Sequence, residues 1–221
     1  MTFQRARSEE QREIRRRAIL DTAAAMLDEM PVAEVSLNEL SRRVGLAKSN
    51  VLRYFETREA VLLELLARFL REWLAALADE LAAGVDPHLP AAERAALLTG
   101  VLSRSLADRP VLCGLFGAQG SVLEQNVSVE VVTRHKRDSL ELLATMTTLI
   151  RKHVPELGDG TQAYCLQVLV LAGALSAYLP PPPSVLTVYQ ADPSLATLDT
   201  DLHGALLLAV TMTTSGALPR T

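Results

Sequence analysis

Residues Ser36 to Phe55 read SLNELSRRVGLAKSNVLRYF, and the order of residue types in this stretch decides the fold. Ser36 and Glu39 form an S-x-x-E capping box, which gives a helix a defined start. Leu37, Leu40 and Val44 recur at spacings of three and four, one face of that helix. Gly45 follows at once, the residue suited to a turn through positive φ. Beyond it Leu46, Val51 and Phe55 are apolar at helical spacing, while Lys48, Ser49, Asn50 and Arg53 are types that reach phosphates and base edges. The pattern is helix-turn-helix, whose second helix fits the major groove of DNA.

Working outward, Ile14, Ala18, Ala23, Met26, Leu27 and Met30 predict one helical stripe over residues 8–30, ended by Pro31. Arg12, Arg15, Arg16 and Arg17 lie opposite it, either as a solvated face offset by Glu9, Glu10 and Glu13 or as a track for phosphates. Arg5 and Arg7 are expected in a flexible basic arm. Downstream, Thr57 reads as an N-cap with Glu59 in the first turn. The apolar series from Val61 to Leu81 then predicts one long helix linking a head, residues 1–57, to a body, residues 58–221.

The body reads as helices separated by breakers. The cluster from Gly84 to Pro90 is a loop, Pro110 opens a short helix, and Pro155 ends one begun near Ser128. Gly114, Gly117 and Gly120 lack the lysine of a phosphate loop, so close packing or a corner explains them better. The last two helices, expected at about 160–179 and 198–215, are apolar almost all round. Such helices are covered on more than one side, which implies a partner subunit. Pro180 to Pro183 between them reads as a rigid spacer.

Composition agrees with an all-α chain. Of 221 residues 49% are hydrophobic but only 4% aromatic, a load dominated by Leu, Ala and Val. The net charge of −4 argues against nucleic acid until the chain is divided. Residues 1–58 carry a net of +2 and the remainder −6, as in a DNA-reading head on a non-binding body. The charged opening QRARSEEQREIRRR is unlike a signal peptide, and the apolar run from Ala205 to Val210 is too short to span a bilayer. Cys113 and Cys165 form no disulfide framework, so a reducing cytoplasm and no membrane are expected.

No catalytic or metal constellation emerges. His88, His135, His153 and His203 have no metal spacing, and His135 beside Lys136 and Arg137 reads as a solvated helix face. Neither a metal, a cofactor nor an enzyme activity is expected.

The run from Ser36 to Leu66, centred on VGLAKSNVLRYFETREAVLL, resembles the N-terminal domain of TetR-family transcriptional regulators. In that family a glycine turn leads into a recognition helix ending in an aromatic pair, and a basic residue opens the long fourth helix. Gly45, Tyr54, Phe55 and Arg58 stand in those places, while Leu52 and Ala47 depart from the family's usual tyrosine and serine. The resemblance implies a three-helix DNA-binding domain joined by a long helix to a helical ligand-binding and dimerisation domain. It further implies a homodimer, more simply a repressor, that binds a palindromic operator in double-stranded DNA and is released by a small-molecule effector.

On that resemblance Lys48 touches a phosphate or reads a guanine, the phosphate being favoured, and Ser49 and Asn50 meet base edges. Arg53 faces DNA, and Tyr54 either offers its hydroxyl to a phosphate or packs with Phe55. Arg58, at a helix start whose dipole opposes it, is assigned to phosphate, and Ser36 and Asn38 to the DNA backbone. Cys113, Gln119, Asn126 and Tyr164 are expected as polar points of a pocket for an apolar or amphipathic effector. Leu169, Gly173, Leu206 and Val210 are assigned to the dimer interface. A helical ligand-binding or adaptor protein with a vestigial turn motif is the alternative, separable by testing for salt-sensitive operator binding.

Overall fold

The computed structural model describes residues 2–196 and 200–219, and among them there is no strand. Ten α-helices follow in order: α1 Thr2–Glu29, α2 Leu37–Val44, α3 Lys48–Val51, α4 Arg58–Gly84, α5 Ala91–Ala107, α6 Pro110–Ala118, α7 Val129–His153, α8 Thr161–Ser176, α9 Pro183–Ala191 and α10 Leu202–Ala217. Ser36 caps α2 by accepting a hydrogen bond from the Glu39 amide at 3.2 Å. Only this half of the capping box forms. The Glu39 carboxylate turns instead to Arg42 and Arg43, whose hydrogen bonds hold it down at a pKa of about 2. Gly45 ends α2 at φ +70°, and the Leu46 amide closes on Ser41 O at 3.0 Å. Thr57 caps α4 through the Ala60 amide at 3.1 Å.

Helix α1 continues over Arg5 and Arg7, where an arm was expected. Its buried stripe is Ile19, Leu20, Ala23, Met26 and Leu27. Ile14 is 58% exposed and Ala18 is also on the surface, because α1 projects one stretch beyond the helices that cover it. Two arginines bind the head together. Arg16 pairs with Glu64, donates to Tyr54 O at 3.1 Å and stacks 4.3 Å over the Phe55 ring. Arg58 donates to Val35 O at 2.8 Å, Ala33 O at 3.1 Å and Glu59 Oε1 at 2.8 Å. The expected phosphate ligand is therefore committed to closing the chain segment before α2 onto α4.

In the body, α5 packs against α10, α6 against α8 and α8 against α10, while α4 and α7 pack on each other, α4 also on α5 and α6 and α7 on α8. Trp73 of α4 is 1% exposed and donates its indole N–H to Ser105 at 2.9 Å. Tyr164, Thr214 and Thr99 form a buried hydroxyl chain, at 3.0 and 3.1 Å, across α8, α10 and α5. Helices α6 and α8 meet at two glycines. A Cβ on Gly173 would lie 2.7 Å from Gly117 N and 2.8 Å from the Phe116 carbonyl carbon.

That contact corrects the assignment of Gly173 to a dimer interface. Leu206 and Val210 are 0% exposed and Leu169 is 6% exposed, all within the single chain. The outward residues of the same helices are Leu166, Val170, Leu208 and Met212, each more than half exposed. Beyond the proline run comes α9, a helix the sequence did not predict, with no buried residue. The last helix starts at Leu202 with Asp201 as its cap, and the start expected at Leu198 lies outside the described residues.

Replacing Gly173 by Ala forces α6 from α8 and is expected to cost about 1–3 kcal/mol, read as a lower urea midpoint at unchanged slope. Replacing Arg58 by Ala leaves the Glu59 carboxylate buried and unpaired. A loss on the order of 3 kcal/mol is expected in the same assay.

Candidate nucleic-acid interface and ligand chamber

The short helix α3 is anchored by its apolar positions. Val51 is 0% and Phe55 3% exposed, so the rest of the turn faces outward. Lys48, Ser49, Asn50, Leu52 and Arg53 are all on the surface. The helix proper ends at Val51; Arg53 and Tyr54 follow in tighter turns, their amides bonded to Asn50 O and Val51 O. A β-branched residue in the core with three polar neighbours outside is the arrangement a groove-reading element requires.

A hollow lies on each side of α3. One, of about 290 Å³, sits where α2, α3 and α4 all begin and gathers Ser36, Asn38, Lys48 and Arg58 beside Glu56 and Glu59. Within it the Ser36 hydroxyl accepts the helix-capping bond and keeps its own hydrogen to donate, Arg58 is held by its internal partners, and Asn38 and Lys48 are exposed. The other, of about 460 Å³, is lined by Gln11, Arg12, Arg15, Arg53 and Tyr54. Three arginines meet there with no carboxylate in the lining. None of the three forms an ion pair among the described residues, unlike Arg16 and Arg58. Arg12 and Arg15, ambiguous in sequence, thus stand beside Arg53. Their spacing of three on α1 was the available signal, but which helix end they would meet was not.

The body holds an apolar chamber of about 260 Å³ between α4, α6, α7 and α8, open to the surface where Leu140, Leu166 and Val170 line it. Leu66 and Leu70 come from α4, Phe116 from α6, Leu143 from α7, and Leu169 and Val170 from α8. Of the four expected pocket residues only Gln119 lines it. Cys113 is buried, donates to Leu106 O at 3.3 Å, and burial pushes its thiol up to about 12. Asn126 is exposed on the loop before α7, and Tyr164 is spent in the hydroxyl chain, where burial raises its phenol to about 12. His135, read as solvated, is 5% exposed and forms part of the chamber wall. Gln119 opens a π-helical turn, Gln119–Leu123, that brings its side chain to His135. π-turns inside helical segments concentrate at functional sites.

Head and body touch at two further places. The Ser128 amide at the start of α7 donates to Glu56 Oε1 at 2.5 Å. A charged cleft of about 630 Å³ lies between α1, α4 and α7, bordered by Arg16, Arg68, Arg134 and Asp138, with His135 shared between cleft and chamber. Among the described residues no helix is long and apolar enough to cross a membrane, and no cluster of His, Cys, Asp and Glu could hold a metal.

Residues 19–65 match the family described as bacterial regulatory proteins, tetR family. Residues 67–221 match the tetracyclin repressor-like C-terminal domain. The HTH-type transcriptional regulator EthR of Mycobacterium tuberculosis is 38% identical over 55 residues, which is 25% of this chain and 26% of EthR. Two solved structures share the fold along nearly the whole chain. FadR of Thermus thermophilus, in complex with lauroyl-CoA, aligns at TM-score 0.54 and 17% identity over 93% of this chain and 96% of its own. FadR of Bacillus halodurans aligns at TM-score 0.54 and 13% identity over 91% and 95%. With both halves matched in order, and the turn motif exposed on an all-helical frame, the chain belongs to the TetR family of transcriptional regulators and is not an enzyme.

Proposed function

We propose that the protein is a cytoplasmic repressor that binds a palindromic operator as a homodimer and releases it when a small apolar or amphipathic molecule fills the body chamber. The observation that carries this reading is that one rigid helix serves both sites. Helix α4 starts beneath the reading face, held there by Arg58, and contributes Leu66 and Leu70 to the chamber wall. A ligand entering the chamber presses on the element that sets the head's position. It releases DNA only to the extent that it binds the non-DNA conformation better.

In this reading Ser49 and Asn50 meet base edges. Lys48 and Asn38 hold the backbone at one end of α3, and Arg12, Arg15 and Arg53 hold it at the other. Two such heads must sit about 34–36 Å apart, one helical turn of DNA. Symmetry supplies the second head, and the outward faces of α8 and α10 are suited to it. Neither helix contains an Asp, Glu, Lys or Arg, and Leu166, Val170, Leu208 and Met212 are exposed on them. A charge-free apolar face meets its own copy without repulsion.

Selection of bound fragments from random DNA by the purified protein tests the function directly, and recovery of no common palindrome would refute it. On the selected operator, Lys48→Ala is expected to weaken specific and nonspecific DNA alike and to flatten the salt dependence by about one unit per head. Loss of discrimination at a single base pair would instead make Lys48 a base reader. Leu208→Glu combined with Met212→Glu is expected to yield folded monomers in sedimentation, whereas Leu206→Glu, inside the core, unfolds the chain.

A further inference from the structure

The chamber is bare on one side, and the residues at its mouth do not belong to it alone. Leu140 of α7 and Leu166 and Val170 of α8 line the chamber, yet each is more than half exposed. Leu166 and Val170 share one exposed stripe of α8 with Ala163 and Gln167, at spacings of three and four. Ala163 and Gln167 line a second hollow, of about 370 Å³, between α8 and α10, where they meet Met212 and Gly216. One helix face therefore borders the chamber mouth on one edge and the α8–α10 seam on the other. A helix with its side chains is about 10–12 Å across, so about one helix diameter separates the two hollows.

Size and charge indicate what covers the mouth. A stable interface takes about 800 Å² from each partner, a patch ~25–30 Å across. Centred on the α8–α10 seam, such a patch extends past α8 and over the mouth. Neither α8 nor α10 carries an Asp, Glu, Lys or Arg, and Leu140 continues the apolar surface across the mouth. A nucleic acid or an anionic membrane would call for basic residues on these helices. A second copy presents the same neutral face and meets it without a charge mismatch.

We infer that the chamber is a shared site: the face that joins two copies also roofs the mouth, so each copy supplies the wall that the other's chamber lacks. This rests on the reading of that face as the dimer contact and of the chamber as the effector site. An engineered cavity of ~150 Å³ accepts benzene, so about 260 Å³ takes an uncharged apolar molecule of on the order of ten heavy atoms. In a separated chain such a ligand keeps one side in water. Covering ~50 Å² of it on dimerisation corresponds to about tenfold in affinity. The linkage is reciprocal, so with two chambers per dimer a saturating ligand tightens the dimer by up to about a hundredfold. A ligand that tightens the dimer does not act by splitting it; the operator is released by movement of the two heads within an intact dimer.

The first test needs no ligand. Leu140→Cys places a thiol at the mouth, on a helix outside the α8–α10 pair, and the native Cys113 and Cys165 are both fully buried. In DNA-free, full-length protein the introduced thiol is expected to react with iodoacetamide about tenfold or more slowly in the dimer than in the Leu208→Glu, Met212→Glu background, whose substitutions lie outside the chamber. On dilution without those two substitutions, its rate should rise with the monomer fraction, a readout that needs no charged variant to fold. Ile14→Cys on α1, similarly exposed in a single chain, should react at one rate throughout. Isopropylbenzene, titrated calorimetrically, is expected to bind the dimer about tenfold more tightly than the monomeric variant. A thiol that reacts equally fast in dimer and monomer, or equal probe affinity for the two forms, would overturn the inference and leave the dimer and repressor readings standing. A wild-type chain that stays monomeric at every concentration would overturn it by removing the homodimer, and would assign the mouth to a different partner. Failure of the probe to bind either form, with the thiol protected in the dimer, would uphold the roof and remove the chamber's effector role.

Discussion

The constraint on which the molecule depends is that α4 is a single uninterrupted helix buried at both ends. Its 27 residues span about 40 Å, and buried side chains run along it from Glu59 to Leu81. No glycine or proline interrupts it before Gly84, so none of the usual causes of a kink is built into its sequence. At its head end Arg58 closes the segment before α2 onto the helix, and Glu64 receives Arg16 from α1. At its body end Trp73 is held by Ser105 of α5. Leu66 and Leu70, which line the chamber, lie only two to three turns from Arg58 along α4.

Arginine placement divides the head into a frame and a surface. Arg16, Arg43 and Arg58 each bridge separate elements: Arg43, for example, donates to Glu29 of α1 at 2.7 Å while also bonding Glu39 of its own helix. These guanidiniums present several donors in one plane, which suits tying carbonyls and carboxylates of different segments together. Among the described residues Arg12, Arg15 and Arg53 have no such partners, and they remain on the surface. Arg12, Arg15 and Arg53 thus gather at one end of α3, with Lys48 at the other.

The body separates two uses of apolar surface. Inside the chain, small residues permit close approach, as at Gly117 and Gly173, and hydroxyls such as Tyr164 and Thr214 satisfy one another. Outside, α8 and α10, which contain no Asp, Glu, Lys or Arg, keep leucine, valine and methionine exposed. An exposed apolar face of this kind is what the proposed contact with a second copy would cover.

Local order in the sequence determined the head. Ser36, Gly45 and Thr57 act on backbone atoms within five residues of themselves, so capping and turning are legible from spacing alone, as is the exposure of Lys48, Ser49 and Asn50 opposite Val51. The long α4 and the all-helical body were legible for the same reason, since apolar periodicity is a property of one helix. Tertiary structure alone decided the rest. Arg16 and Arg58 were removed from the candidate phosphate ligands by partners many residues away in sequence. His135 was taken from surface to core by α4 and the π-turn, and Gly173 from interface to interior by α6. In α8 and α10 apolar residues surround the axis, so periodicity names no face, and only the positions of neighbouring helices show which side is left uncovered.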